Sequence, residues 1–385
     1  MGSMAKVNRP VEVVVAGHIC LDVIPEFPPH ALAGAISPGA LVKVGPALRS
    51  TGGAVANTGL ALHRLGIGVR LVGKVGHDLF GEEIINILRS HSPDLAAGMI
   101  VSDRDTSSYT VVISPPGTDR TFLHCPGAND TLSSRDVPDS ALAGARLLHF
   151  GYPPLMRRMY LKNGDELRRL MKRARTMGLT TSLDMAEPDA ASEAGKVDWV
   201  ALLKNVLGEV DIFAPSIQEV LFMADRKTYA KLTRKTGAIE VKRDVTRGLL
   251  QSLSGNLLEW GAAVVMIKLG EQGAYLRTSS NRARLFGMGA CTPRDVSPWI
   301  GCELRAPCFK AKVVGTTGAG DCAIAGFLAG VLKGLTPEGC LRFAVAVGAC
   351  SVEAPDATSG VPNWNRVRQR IRDGWPTLPS CIDVA

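Results

Sequence analysis

The sequence predicts an α/β fold with a mainly parallel central sheet and helices on both of its faces. Three observations carry that prediction. Short continuous apolar runs alternate with helical stretches, as they do where parallel strands are covered on both sides. Aromatic residues are only 5% of the 385 residues while glycines number 41, which suits helices packed closely over a sheet. A composition of 46% hydrophobic and 21% charged residues is ordinary for a globular chain and supports a large core.

Taken in order, residues 11–16 (VEVVVA) read as a strand buried on both faces. Residues 53–65 read as a helix ending at Gly66, 69–75 as a strand and 79–89 as a helix. Further short apolar runs at 146–150, 179–184, 210–214 and 263–268 each end near Gly, Asp or Pro. Helical stretches separate them, notably 155–177 and 241–260. Two segments break the rhythm. Residues 22–48 are rich in Pro and Gly and show no helical period, and 106–125 alternate around a polar PPGTDR tip, as in a β-hairpin. Both suit a small β-layer outside the main sheet. Residues 279–306 read as a surface insertion in a single domain spanning 1–385.

Several function classes are disfavoured. The net charge is +8, from 44 Lys and Arg against 36 Asp and Glu. The basic stretches, such as Arg168-Arg169, Lys172-Arg173 and residues 227–235, interleave with apolar positions at helical spacing. That pattern fits solvated helix faces better than a nucleic-acid surface. No apolar run approaches the roughly 20 residues a bilayer requires. Met1-Gly2-Ser3-Met4 reads as an expression remnant before a natural start with no signal peptide after it, so the cytoplasm is the expected location. The nine cysteines are scattered without a CxxC pair, which points to reduced thiols rather than zinc ligands or disulfides. His63, His77, His91 and His124 lack HExxH spacing and read as surface or capping groups. Trp260 and Trp299 read as packing residues, and no GxSxG elbow exists.

The most informative stretch is 308–334, CFKAKVVGTTGAGDCAIAGFLAGVLKG. Residues 308–314 are strand-like, 315–320 form a small-residue turn, and a helix of small and apolar residues follows. Small residues let the backbone approach a ligand, and the free amides and positive dipole of a helix N-terminus form an anion site. Phosphoryl transfer needs such a site. Asp321 stands where that helix opens, as an N-cap or as a general base for an acceptor hydroxyl. Gly318-x-Gly320-x-x-Ala323 also matches the dinucleotide fingerprint of dehydrogenases, but the following residues read as another helix rather than the strand that motif needs. The GxxxxGK[ST] nucleotide motif is absent.

TTGAGDCAIAGFL at 316–328 resembles the C-terminal signature of the ribokinase/PfkB family. GGAVAN at 52–57, Gly66 and GKVGHDLFG at 73–81 resemble its N-terminal signature, with PGAN at 126–129 and IKLGEQGAY at 267–275 between them in the family's order. The resemblance covers residues 11–370 and implies a ribokinase-like three-layer sandwich with a small β-lid, here from segments 20–50 and 104–130. It implies an ATP- and Mg²⁺-dependent kinase acting on a sugar-like or nucleoside-like hydroxyl. By position, Asp22, Gly52, Gly53, Asn57 and Asn129 would bind the acceptor, Gly318, Ala319 and Gly320 would form the anion hole, and Asp321 would be the base. The nucleotide would draw on Lys268, Gly270, Gly273, Thr316, Gly318, Gly320 and Cys350, and Glu219 and Asp184 would organise the metal.

The chain also departs from that pattern. Gly315 stands where the family carries an acidic residue beside a monovalent-cation loop, which puts a K⁺ requirement in doubt. Ser216 replaces the Asn of the family's NxxE motif. The resemblance leaves open a sugar kinase, a nucleoside kinase or a catalytically silent binding protein, and a homodimer through the lid would suit an exposed sheet edge.

Overall fold

Every residue of the first strand, β1 (Val13–Gly17), is buried, and its side chains divide between two cores. Val13 and Val15 join one apolar cluster, while Val14 and Ala16 join another on the opposite face of the sheet. A strand covered on both sides explains an apolar run without alternation. The computed structural model describes residues 10–28, 39, 41–115, 121–236 and 245–379.

The chain continues through β2 (Cys20–Pro25), β3 (Ala47–Gly52), α1 (Ala54–Arg64), β4 (Val69–Val72), β5 (Lys74–Gly76) and α2 (Leu79–His91). Next come β6 (Ile100–Ser102), β7 (Tyr109–Ile113), β8 (Thr121–Cys125), α3 (Asp139–Leu142), β9 (Leu147–Gly151), α4 (Arg157–Thr176) and β10 (Thr180–Leu183). Then follow α5 (Trp199–Val206), β11 (Ile212–Phe213), α6 (Ile217–Ala224), α7 (Arg226–Thr236), α8 (Arg247–Glu259), β12 (Val264–Lys268) and β13 (Ala274–Thr278). The last elements are α9 (Arg282–Phe286), β14 (Glu303–Ala306), α10 (Ala319–Leu332), α11 (Pro337–Ser351) and α12 (Trp364–Arg372).

The main sheet has the order β14-β13-β12-β11-β10-β9-β1-β4. Its six strands from β12 to β4 are parallel, and β13 and β14 add an antiparallel edge. Side chains of α1, α10 and α11 fill one core, and those of α4, α5, α6 and α8 fill the other. The result is a three-layer α/β/α sandwich. A separate sheet, β3-β2-β7-β8, forms the β-layer expected from the two irregular segments.

The structure departs from the sequence reading at several places. Residues 69–75 split into β4 and β5 at Gly73, where a Cβ would lie 2.8 Å from Ile19 Cγ2. Residues 308–314 form no strand; Phe309 makes a single bridge to Thr377, and Val313 and Val314 are exposed. Residues 279–306 are more than a surface insertion, because Leu285, Met288, Cys291, Val296 and Trp299 are buried in the core and β14 joins the main sheet. Helix α4 is interrupted at Leu161–Gly164, where Gly164 has φ 75° against Leu202 and Val206 of α5. The helix start expected at 241, the hairpin tip at 116–120 and Cys381 lie outside the described residues. Among those described, no helix is long and apolar enough to cross a membrane.

Candidate active site

Four side chains meet at the carboxyl ends of the parallel strands, where open α/β sheets bind their ligands. His18 follows β1, Tyr152 follows β9, Asp184 follows β10, and Lys268 ends β12. Helix α10 begins above them at Gly318, which adopts φ 70° and has no room for a Cβ, since one would lie 2.4 Å from Ala357 Cβ. No side chain caps α10; Ala319 N donates to Thr316 O at 3.4 Å, and the amides that follow it keep their capacity to hold an anion.

Asp321 is third in that helix and does not act as its cap. Its carboxylate accepts from Asn57 Nδ2 at 2.9 Å and from the Tyr152 hydroxyl at 2.9 and 2.8 Å. It is 2% exposed. Burial raises its pKa, against the opposing pull of Lys268 and of the Asn57 and Tyr152 hydrogen bonds.

Lys268 Nζ donates to Asp184 Oδ1 at 2.6 Å. Its side chain also runs beside the anion loop, with Nζ 3.7 Å from where a Cβ on Gly320 would sit. Burial alone would depress the Lys268 ammonium, but Asp184, Glu219 and Asp321 outweigh it and hold the group charged. Three carboxyl groups face this one ammonium, and burial raises the pKa of each of them, that of Asp184 well above the usual carboxylate range. Asp184 Oδ2 is buried with no hydrogen-bond partner, an oxygen that a cation would satisfy. Glu219 has a second occupation. Its carboxylate accepts from Ser216 N at 2.6 Å while Ser216 Oγ accepts from Glu219 N, so the Ser that replaces the family's Asn completes a capping box for α6.

Asp22, expected to bind the acceptor, lies within β2 of the separate sheet. Its carboxylate packs against Gly52, where a Cβ would come within 2.3 Å of it, and Gly53 leaves similar room for His18. Burial pushes the Asp22 pKa up to about 6. Asn129 is buried and bonded to the backbone of Ile19 and Pro126, so it staples the β1–β2 connection to the lid. Gly270 and Gly273 shape the β12–β13 turn, Thr316 lies exposed ahead of α10, and Cys350 is buried in α11, where burial raises its thiol pKa to about 11. Tyr152 and His18 carry no local motif. Their only sequence signal is their place directly after an apolar strand.

Concavity alone would misplace the site. A groove of about 1310 Å³ runs along the outer edge of β4, away from these carboxylates. Its Arg64 and Arg70 are bonded to backbone carbonyls of Ser359, Val361 and Ala141.

The pfkB family carbohydrate kinase pattern matches residues 11–364. The chain belongs to that family. It is a carbohydrate kinase, a phosphotransferase with an alcohol group as acceptor. The kinase is 26% identical to the 2-dehydro-3-deoxygluconokinase of Bacillus subtilis over 332 residues, covering 84% of this chain and 87% of that one. It is 24% identical to a nucleoside kinase of Methanothermobacter thermautotrophicus over 374 residues, covering 96% and 98%. Its fold matches Arabidopsis thaliana ribokinase, solved with ribose and ATP, with a TM-score of 0.68 at 18% identity over 94% of this chain and 98% of that one.

Proposed function

We propose that this kinase transfers the γ-phosphoryl group of ATP to a hydroxyl of a sugar or sugar-like molecule, with Asp321 as the general base. One observation carries the reading: a carboxylate lies in the first turn of the uncapped helix α10, beside the Lys268 ammonium. Asn57 and Tyr152 orient that carboxylate. Asp321 takes the proton of the acceptor hydroxyl, whose oxygen attacks the γ-phosphorus as the bond to ADP breaks. The amides of Gly320 and Asp321, with Lys268, stabilise the charge on the transferred group. The solved ribokinase is complexed with ribose and ATP, which supports the choice of donor.

Asp184, through its unpartnered oxygen, and Glu219 are the residues that would hold Mg²⁺. Among the described residues no three ligating side chains converge into a metal site of their own. Bound to Asp184 and Glu219, Mg²⁺ would supply charge neutralisation for the phosphates. ADP release measured with Mg-ATP against sugars, sugar acids and nucleosides tests the reading. Turnover of at least one compound is expected, and tight binding without turnover by any would favour a silent binding protein.

A further inference from the structure

The groove along the outer edge of β4 gathers three guanidiniums. Arg64 ends α1, Arg70 lies on β4 and Arg135 stands just before α3, and all three line it. Among the described residues none of the three forms an ion pair, whereas Arg157, Arg284 and Arg370 each meet a carboxylate. Arg64 donates through Nε and Nη2 to the carbonyls of Val361 and Ser359, both at 2.8 Å. Arg70 donates through Nη1 to the carbonyls of Ser140 and Ala141. Arg135 is exposed and makes no hydrogen bond. A guanidinium has five N–H donors and never loses its charge, so these carbonyl contacts hold the groups without neutralising them. The carboxylates on the lining are Asp94 and Asp136, and Asp136 is engaged by Ser133 N and Oγ at 2.7 and 2.8 Å. His63 and His91 complete the titratable lining. Three guanidiniums against two carboxylates leave the groove cationic.

We propose that this groove is a second binding site, for an organic phosphate, and that its occupant acts on the active site through Arg64. Guanidiniums match phosphate oxygens in a bidentate, charge-assisted geometry. At about 1310 Å³ the groove exceeds the roughly 300–1,000 Å³ of common ligand pockets, so it admits a molecule of sugar-bisphosphate size. Arg64 is where the groove and the active site meet. The carbonyls it holds belong to Ser359 and Val361, and Ala357 just before them packs against Gly318 of the anion loop. Cys322 Sγ of α10 donates to the Ala357 carbonyl at 3.1 Å. Near its other end α1 carries Asn57, which donates to Asp321. A phosphate that draws Arg64 away from Ser359 and Val361 loosens the segment beneath the anion loop, and nucleotide binding weakens. The effect on the nucleotide rests on the kinase reading above; occupancy of the groove does not.

Titration calorimetry in Mg²⁺ buffer tests both parts, with D-fructose 1,6-bisphosphate as the probe and AMP-PNP, a non-hydrolysable nucleotide, present or absent. The probe is expected to bind the wild type with a Kd below about 1 mM. Arg135→Glu, at an exposed residue without bonds, should weaken it at least about 10-fold while leaving the affinity for AMP-PNP alone within about twofold. Arg70→Gln should weaken the probe likewise and covers the case in which the first variant does not fold. In the wild type, saturating probe should weaken AMP-PNP binding about fivefold, and AMP-PNP should weaken the probe by the same factor. In Arg135→Glu the same probe concentration should leave AMP-PNP binding unchanged. Failure of the probe and of inorganic pyrophosphate to bind below about 10 mM would overturn the site, as would equal affinity in folded variants. Direct competition for the nucleotide's place would persist in Arg135→Glu and would overturn it too. Binding without any effect on AMP-PNP would overturn the link through Arg64. Should the wild type turn over no acceptor while the probe behaves as expected, the kinase reading falls and the groove site stands.

Discussion

Asp22 and Asp321 are buried carboxylates whose pKa values are raised by desolvation, and each makes the folded protein sensitive to pH. For Asp22 the folded value is about 6 against an ordinary 3.8, so the fold favours the protonated form. The stability this contributes is complete below the ordinary value and disappears as pH rises through about 6. At 1.36 kcal/mol per pKa unit the loss amounts to roughly 3 kcal/mol. Asp22→Asn, which cannot ionise, should therefore lose less stability than the wild type between pH 4 and pH 8, by up to that amount. Urea unfolding at the two pH values measures the difference, and parallel losses in both proteins would show that Asp22 is not desolvated as described. The same variant should bind acceptor less well, an exchange of stability for function. At this scale the sequence revealed the residues that sit in motifs. Asp321 and Asn57 stand in the two signatures and are hydrogen-bonded to each other, whereas Tyr152, which also donates to Asp321, stands in none. Tyr152 meets Asp321 only because β9 ends beneath α10, a contact between positions 169 apart that no local pattern reports.

Elements were legible where one physical signal dominated. β1, β9, β10 and β12 follow from apolar runs buried on both faces, and α10 from its small-residue turn and apolar helix. The apolar pair Val313 and Val314 imitated a strand but is exposed, because no neighbouring strand is there to pair with it. The edge strand β14 was hidden for the opposite reason, since its Glu303 and Arg305 make it look like surface. Ser216-Ile217-Gln218-Glu219 shows how one motif carries two meanings, a capping box and a candidate metal residue. Glu219→Gln separates them, because glutamine can still accept from the Ser216 amide. The variant should keep the wild-type melting temperature within a few degrees while needing several-fold more Mg²⁺ for half-maximal activity. Lower stability with an unchanged Mg²⁺ requirement would leave Glu219 only its capping role.

The whole molecule combines two cores sharing one sheet with a thin lid that has a single layer of strands. β8 is the lid's edge, and Thr121, Phe122, Leu123 and His124 are exposed on it, while β1 is wholly buried. Backbone amides of β8 should exchange with solvent orders of magnitude faster than those of β1, and a bound acceptor with a non-hydrolysable ATP analogue should slow β8 selectively. Hydrogen-exchange mass spectrometry reads both, and equal protection of the two strands would argue against a lid that opens. In the proposed reaction the acceptor's hydroxyl meets the Asp321 carboxylate in the first turn of α10. The most direct measurement is the turnover of Asp321→Asn beside its acceptor affinity. A general base predicts a fall in kcat of about 10²–10⁴-fold with acceptor binding changed by no more than a few fold. Turnover close to that of the wild type would contradict the assignment.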